Sequence, residues 1–272
     1  MIKEYLEYQR RVRQLSNDTI AEYRKDLEYF EKWMKVAGTN WEEVDRQQLI
    51  EYQLYLDEQN LAPATQNKKT SALRCIFRYM EHEGIRKDNP ARYLQSAKLG
   101  KALPRTCNMQ DVARYLTQAC LSRRDYEMHA LTALLVTTGL RLQEALNIRR
   151  ADINKEKREI TVKGKGNKER KVYYTEHTAN IINAYARGRK DYIFETRDQR
   201  EVRLAMQETL GQTIKGVHPH MLRHTYATEM LERGVDIKTL SAILGHESVK
   251  TTERYARVKN ESVKRAQAIE LF

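Results

Sequence analysis

One stretch departs from the helical spacing that runs through the rest of the chain, and it limits the folds available. From Ile160 to Tyr174 the sequence reads I-T-V-K-G-K-G-N-K-E-R-K-V-Y-Y. Two short β-prone runs flank a turn containing Gly164 and Gly166, which is the pattern of a hairpin with Lys165 at its tip. The strands are expected over Glu159–Val162 and Arg170–Tyr174. Around them, Gln110–Ala119, Tyr126–Thr138, Thr178–Ala186 and Val202–Ile214 read as helices. A single hairpin among many helices predicts a mainly α fold with one small antiparallel sheet.

The chain before this region is helical to about Leu94. Ser16 can cap a helix in which Ile20, Tyr23, Leu27, Phe30 and Met34 recur at spacings of three and four. Asp45 with Gln48 has the spacing of a capping box. Pro63 opens a further helix, whose Leu73, Ile76, Phe77 and Met80 face a core and which Gly84 ends. Four helices arranged this way bury one small core. Lys68, Lys69, Arg74 and Arg78 are read as exposed on this bundle, either as contacts to a DNA backbone or as a solvated face. Asn89-Pro90 and Lys98–Pro104 interrupt the periodicity, since proline disfavours helix in the residue before it. The expected organisation is a helical domain over 1–95, a basic linker over 96–104 and a second domain over 105–272.

Charge narrows the partner. Lys and Arg number 49 against 37 Asp and Glu, a formal net charge of +12, which suits a polyanion such as nucleic acid. No run of 18 apolar residues suggests a membrane-spanning helix, and the N-terminus has no apolar secretory core. Cys75, Cys107 and Cys120 are far apart and match no disulfide or zinc framework. A cytoplasmic, nucleoid-associated protein with reduced thiols and no membrane partner is expected.

Two pieces of sequence gather imidazoles, guanidiniums and a phenol at spacings that could bring them together. In the first, Leu134, Leu135 and Val136 run into Thr138-Gly139, and a new helix starts near Arg141 with Glu144 three residues on. An arginine there adds a fixed fork of donors to a helix start already suited to anions. In the second, Pro219 suits the first turn of a helix, and His220, Arg223 and His224 follow at spacings that share one face. His220 and His224 could suggest zinc. The general-base glutamate of that pattern is replaced by Met221, which argues against it. Val235–Leu244 reads as a short helix stopped by Gly245, with His246 next. Ser248 could cap another helix carrying Thr251, Thr252 and Tyr255.

Five boxes in this order resemble the tyrosine recombinase (phage-integrase-like) family, and among them the short two-domain Xer-like members. They are T-G-L-R-x-x-E at Thr138–Glu144, G-K-G-N-K-E-R at Gly164–Arg170, H-x-L-R-H at His220–His224, L-G-H at Leu244–His246 and T-T-x-x-Y at Thr251–Tyr255. Arg257 departs from the family, whose members often carry histidine two residues after the tyrosine. The resemblance implies an N-terminal helical, SAM-like core-binding domain that clamps DNA opposite a catalytic domain. It also implies a site-specific recombinase working through a 3′-phosphotyrosine and a Holliday junction, for integration, excision, inversion or dimer resolution.

In that scheme Tyr255 is the nucleophile. Arg141 and Arg223 bind the non-bridging oxygens, His246 donates a further hydrogen bond, His220 accepts the phenolic proton and Lys165 protonates the departing 5′ oxygen. Lys163 and Lys168 are competing lysines, and Lys165 is favoured for its place between two glycines. Glu144 is expected to orient Arg141 or buttress the site, and His224 to pack or contact backbone. With no metal-ligand cluster and no P-loop in the sequence, no cofactor is expected, and the reaction should need neither metal nor ATP. The implied partners are double-stranded DNA at a specific site and three further copies of the chain, giving a homotetramer on DNA. A partner recombinase or accessory protein is compatible with this scheme. The segment Asn260–Phe272 would cover its own domain or dock on a neighbouring subunit. The rival readings are a type IB topoisomerase-like enzyme and a catalytically silent DNA-binding regulator.

Overall fold

The computed structural model describes residues 1–100, 105–164, 169–188 and 191–245. The chain divides into two compact units, residues 1–101 and 102–272.

The first unit holds four helices, α1 (Ile2–Arg11), α2 (Asn17–Ala37), α3 (Arg46–Glu58) and α4 (Pro63–His82). Their starts follow from local chemistry. The Ser16 hydroxyl accepts from the Thr19 N–H at 3.3 Å. Asp45 and Gln48 form the reciprocal box, with bonds of 2.8 and 3.1 Å. Pro63 stands in the first turn of α4, where its missing N–H has no partner to lose. The expected stripes pack inward: Leu27, Phe30, Ile76, Phe77 and Met80 are fully buried, Ile20, Met34 and Leu73 nearly so and Tyr23 partly, and α3 adds Leu49, Tyr52 and Leu56, also fully buried. Each such side chain contributes roughly 1.5–3 kcal/mol through removal from water.

Two of the cations expected on this surface are elsewhere. Lys69 is buried, with its ammonium 3.1 Å from Asp26 Oδ1 and 4.0 Å from the centre of the Tyr29 ring. The cause is register. Lys69 lies four residues before Leu73 and seven before Ile76, on the apolar face of α4. Arg74 is half-buried, and its guanidinium donates to the Leu94 carbonyl and to Ser96 Oγ. Gln53 donates to the Gln95 carbonyl at 2.7 Å, and Asn67 makes a two-way pair with the backbone of Ala97 at 2.9 and 2.6 Å. Ser96 and Ala97, expected in the linker, are therefore tied to this unit. Lys68 and Arg78 are exposed, Lys68 with an ion pair to Glu22 at 3.0 Å.

The second unit is built around α6 (Arg123–Thr138), which is buried on nearly every side. A Ser122–Asp125 capping box starts it, three residues ahead of the expected Tyr126. Packed with it are α5 (Met109–Leu116), α7 (Leu142–Leu146), α8 (Glu176–Tyr185), α9 (Gln199–Glu208) and α10 (Pro219–Glu232), while α11 (Ile237–Leu244) packs on α10. The sheet has three antiparallel strands in sequence order, β1 (Ile153–Asn154), β2 (Glu159–Lys163) and β3 (Glu169–Tyr173), with Ile160 opposite Val172. The two hairpin strands are those expected, shifted by one residue at three of their four ends. Strand β1 is too short to carry a period and was not foreseen. Helix α9 stops at Glu208 rather than reaching Ile214, because the backbone turns at Thr209 and continues as a 3-10 turn, Leu210–Gln212. Helix α5 stops at Leu116 rather than Ala119, where Thr117 turns its hydroxyl back onto the Arg114 carbonyl.

Gly139 links this core to the site. It ends α6 with φ +64°, and a Cβ there would lie 2.4 Å from Tyr226 Cδ1 and 2.8 Å from Leu244 Cδ2. Only a residue without a side chain lets the turn before α7 approach α10 and α11 this closely. Among the described residues, no helix is long and apolar enough to cross a membrane.

Candidate active site

The C-terminal end of α11 organises the site. The last carbonyls of a helix have no partner within it and carry the negative end of its dipole. Here three consecutive carbonyls receive three different arginines. Arg170 Nε donates to Ile243 O at 3.1 Å, Arg223 Nη2 to Leu244 O at 2.8 Å and Arg141 Nη2 to Gly245 O at 3.0 Å. Gly245 closes the helix at φ +61°, and a Cβ on it would lie 2.9 Å from Arg170 Nη1. Three guanidiniums are thus brought from β3, α10 and the start of α7 to one point.

Each arginine is fixed by a second contact. Arg223 is buried, and its Nη1 donates to the Gly139 carbonyl at 2.6 Å. Arg141 is the residue before α7. Its backbone N–H and its Nη1 both donate to Glu144, each at 2.9 Å, while its side chain stays 36% exposed. The expected orientation of Arg141 by Glu144 is therefore present in the geometry. Arg170 takes both oxygens of the same carboxylate, at 3.0 and 2.8 Å. Burial alone pushes the Glu144 carboxyl up. Hydrogen bonds from Arg170 and the Arg141 N–H, with the charges of both arginines, more than offset this and hold it below its ordinary value. Glu144 is thus an anion with its lone pairs in use, and the cluster retains positive charge.

His220 stands on the first turn of α10, three residues before Arg223, with an open face toward solvent. Partial burial, then the positive charges of Arg223, His218, Arg203 and Arg141, hold its pKa below the ordinary 6.5. The ring is neutral at pH 7 and has a lone pair for an incoming proton. His218 caps the helix, its Nδ1 accepting from the Met221 N–H at 3.2 Å. Its pKa is also lowered, by burial, Arg203 and Arg105. That keeps the cap in its acceptor form.

The structure therefore brings together Arg141, Arg223 and His220 from the expected set. Lys165, His246 and Tyr255 lie outside the described residues, as do the segments expected around Ser248 and over Asn260–Phe272. Of the competing lysines, Lys163 is at the end of β2, 3.5 Å from Glu169, and Lys168 lies outside the described residues. Lys68, Lys69, Arg74 and Arg78 belong to the other unit. Sequence reasoning missed Arg170, His218 and Arg203. For Arg170 a signal existed: it is two residues before the buried Val172, on the inward face of β3.

Comparison with known proteins gives a consistent result. Residues 108–262 match the model of the phage integrase family, and residues 2–84 match the phage integrase N-terminal SAM-like domain. Tyrosine recombinase XerD of Vibrio cholerae serotype O1 is 30% identical over 285 residues, covering 97% of this chain and 93% of that one. Tyrosine recombinase XerC of Lacticaseibacillus casei is 30% identical over 288 residues, covering 96% of each. The fold resembles that of XerH site-specific recombinase bound to palindromic difH substrate in a post-cleavage complex. That match has a TM-score of 0.78 and 19% identity, over 99% of this chain and 84% of that one. It also resembles the Tn1549 transposon integrase in complex with circular intermediate DNA, with a TM-score of 0.72 and 19% identity over 93% of this chain and 94% of that one.

Proposed function

The chain belongs to the phage integrase family, and from that premise we propose that it is a site-specific recombinase that breaks and rejoins DNA through Tyr255. The observation that carries the reading is the meeting of Arg141 and Arg223 on adjacent carbonyls at the end of α11. Two planar forks held side by side suit the two non-bridging oxygens of one phosphate. Their donors are fixed before substrate arrives, so little reorganisation is needed as charge develops on those oxygens.

The steps are those the family resemblance implies for the matching positions, and the residue types suit them. A phenol has an ordinary pKa of about 10 and needs help to attack. The Tyr255 oxygen attacks phosphorus as its proton passes to neutral His220. The bond to the 5′ oxygen breaks, and Lys165 protonates that oxygen, releasing a 5′-hydroxyl and leaving a 3′-phosphotyrosine. His246 adds a hydrogen bond to the phosphoryl group. The 5′-hydroxyl of a partner duplex then attacks the phosphotyrosine, restoring the backbone and freeing the tyrosine. Two rounds pass through a Holliday junction and use four protomers, one per cut strand. The first unit closes on the DNA with Lys68 and Arg78 toward the backbone, and the protein works in the cytoplasm on the nucleoid.

Covalent trapping tests this. Wild type and Tyr255→Phe are incubated with supercoiled and nicked DNA of the source genome in EDTA, then denatured in detergent. Adducts with wild type alone are expected, and mapping them gives the cleaved position. Adducts that survive in Tyr255→Phe would remove Tyr255 as the nucleophile. DNA binding without any adduct would favour the regulatory reading or a missing partner recombinase, and a second assay with candidate partners separates those two.

A further inference from the structure

Arg170 is not needed by the chemistry above, yet its donors meet both halves of the site. Two of them fill Glu144, the carboxylate that orients Arg141. The third holds the Ile243 carbonyl in the last turn of α11, next to the carbonyls that Arg223 and Arg141 hold. We infer that Arg170 is a positioning residue, a brace that fixes Arg141 through Glu144 and fixes the end of α11 from which the chain continues to His246. The inference rests on the recombinase reading for its catalytic consequence.

The physical case is one of geometry and charge together. Glu144 shared between two arginines cannot neutralise either one, so Arg141 keeps a net attraction for phosphate while being held in place. Without Arg170, Glu144 and Arg141 form a one-to-one pair, and that pair competes with the phosphate for the same guanidinium. The Ile243 carbonyl also loses its donor. A lysine at 170 would keep the charge. Its single ammonium cannot bridge two carboxylate oxygens and a carbonyl on a different element, because it lacks the planar fork.

Cleavage is measured as the rate of adduct formation on a nicked duplex carrying the position mapped with wild type. Arg170→Ala should slow it roughly 10–100-fold, by analogy with residues that orient the ligands of a metal, with DNA affinity nearly unchanged. Arg170→Lys should not restore the rate. Glu144→Gln should be slow as well, and Glu144→Gln with Arg170→Ala should be no slower than the slower single variant, since both act on Arg141. Wild-type rate in Arg170→Lys would overturn the inference, because charge alone would then suffice. So would losses that multiply in the double variant. If Arg170→Ala fails to fold by circular dichroism, Arg170→Lys and Glu144→Gln carry the same test.

A wild type that forms no adduct, alone or with a partner recombinase, is a failure of the recombinase reading. The brace is then tested in the free protein by amide hydrogen exchange. Arg170→Lys should speed exchange at the Arg141 N–H and in the last turn of α11 while leaving α6 protected. Unchanged exchange at those two places, or loss of protection throughout the second unit, would overturn it.

Discussion

Each unit holds a cluster of charges with a buried core, and the two clusters are balanced differently. In the first unit Asp26 lies 3.1 Å from Lys69 and 4.0 Å from Lys68, and Lys68 is 3.0 Å from Glu22. Two lysines face two carboxylates, and the pairing is closed. In the second unit Arg141 and Arg170 share Glu144, and Arg223 is held by carbonyls. Among the described residues, one carboxylate serves two of the three guanidiniums, and backbone carbonyls accept from all three. A carbonyl is a full hydrogen-bond partner but only a partial charge, so an anion can still be drawn to the cluster. A closed pair holds a fold together, whereas an open cluster of this kind suits the phosphate proposed for it.

The sharpest way to break this comparison is to delete a charge from the open cluster. Arg141→Ala should slow cleavage by roughly 10²–10³-fold, the loss seen when one preorganised donor is removed. Thermal stability should change little, and most DNA binding should persist through other phosphate contacts. If binding disappeared along with cleavage, Arg141 would be a DNA anchor, and the contrast between the clusters would lose its basis.

The closed cluster should respond in the opposite way. Lys69→Met leaves Asp26 buried with only Lys68 at 4.0 Å, and breaking a buried pair by removing one partner costs about 3–5 kcal/mol. Urea unfolding should show that loss, while the cleavage rate of folded protein stays at the wild-type value. Asp26→Leu with Lys69→Met should recover much of the stability, since a well-packed apolar pair can replace an ion pair. A double variant as unstable as Lys69→Met would mean that the cost lies in packing rather than in the orphaned charge.

What could be read in advance follows the same division between local and distant causes. Caps at Ser16, Asp45 and Pro63, and the break at Gly139, depend on neighbours within four residues, so the sequence displays them. The boxes around Arg141 and His220 are likewise local, and the helix starts they predict are present. Arg170 reaches Glu144 26 residues away and Ile243 73 residues away, and no window along the chain contains that meeting. Lys69 was misplaced for another reason. Residue type outweighed register, although its spacing from Leu73 and Ile76 put it on the buried face. Arg203 acts on His220 through space from another helix, which no spacing rule could show.

Exposed cations in the first unit offer a smaller effect. Arg78 is exposed, and if it meets a phosphate its removal should reduce the slope of log affinity against log salt by about one. Non-specific duplex DNA suffices for this measurement. Lys69→Met should leave the slope unchanged, because its ammonium is already held by Asp26 and shielded from solvent. Equal slopes for wild type and Arg78→Ala would return Arg78 to the solvated surface and leave Lys68 as the remaining candidate on α4.

The finest distinction concerns the proton. His220 is held below 6.5 by partial burial and by Arg223, His218, Arg203 and Arg141, so it enters the reaction neutral. A base must be unprotonated to act. Cleavage should therefore be flat across neutral pH and fall on acidification only below pH 6.5, as the ring gains its proton. Stability has the same sign. The unfolded chain binds the proton more readily than the folded one, so His220 lowers stability as pH drops below 6.5 and has no effect above it. Arg203→Ala removes one of the opposing cations without touching the phosphate clamp. The midpoint of the acid limb should then move upward, toward the ordinary value, and an NMR titration of the His220 ring should move with it. An acid limb that stays in place while the ring titration shifts would assign the proton transfer to a group other than His220. The open cluster would then act only as a clamp.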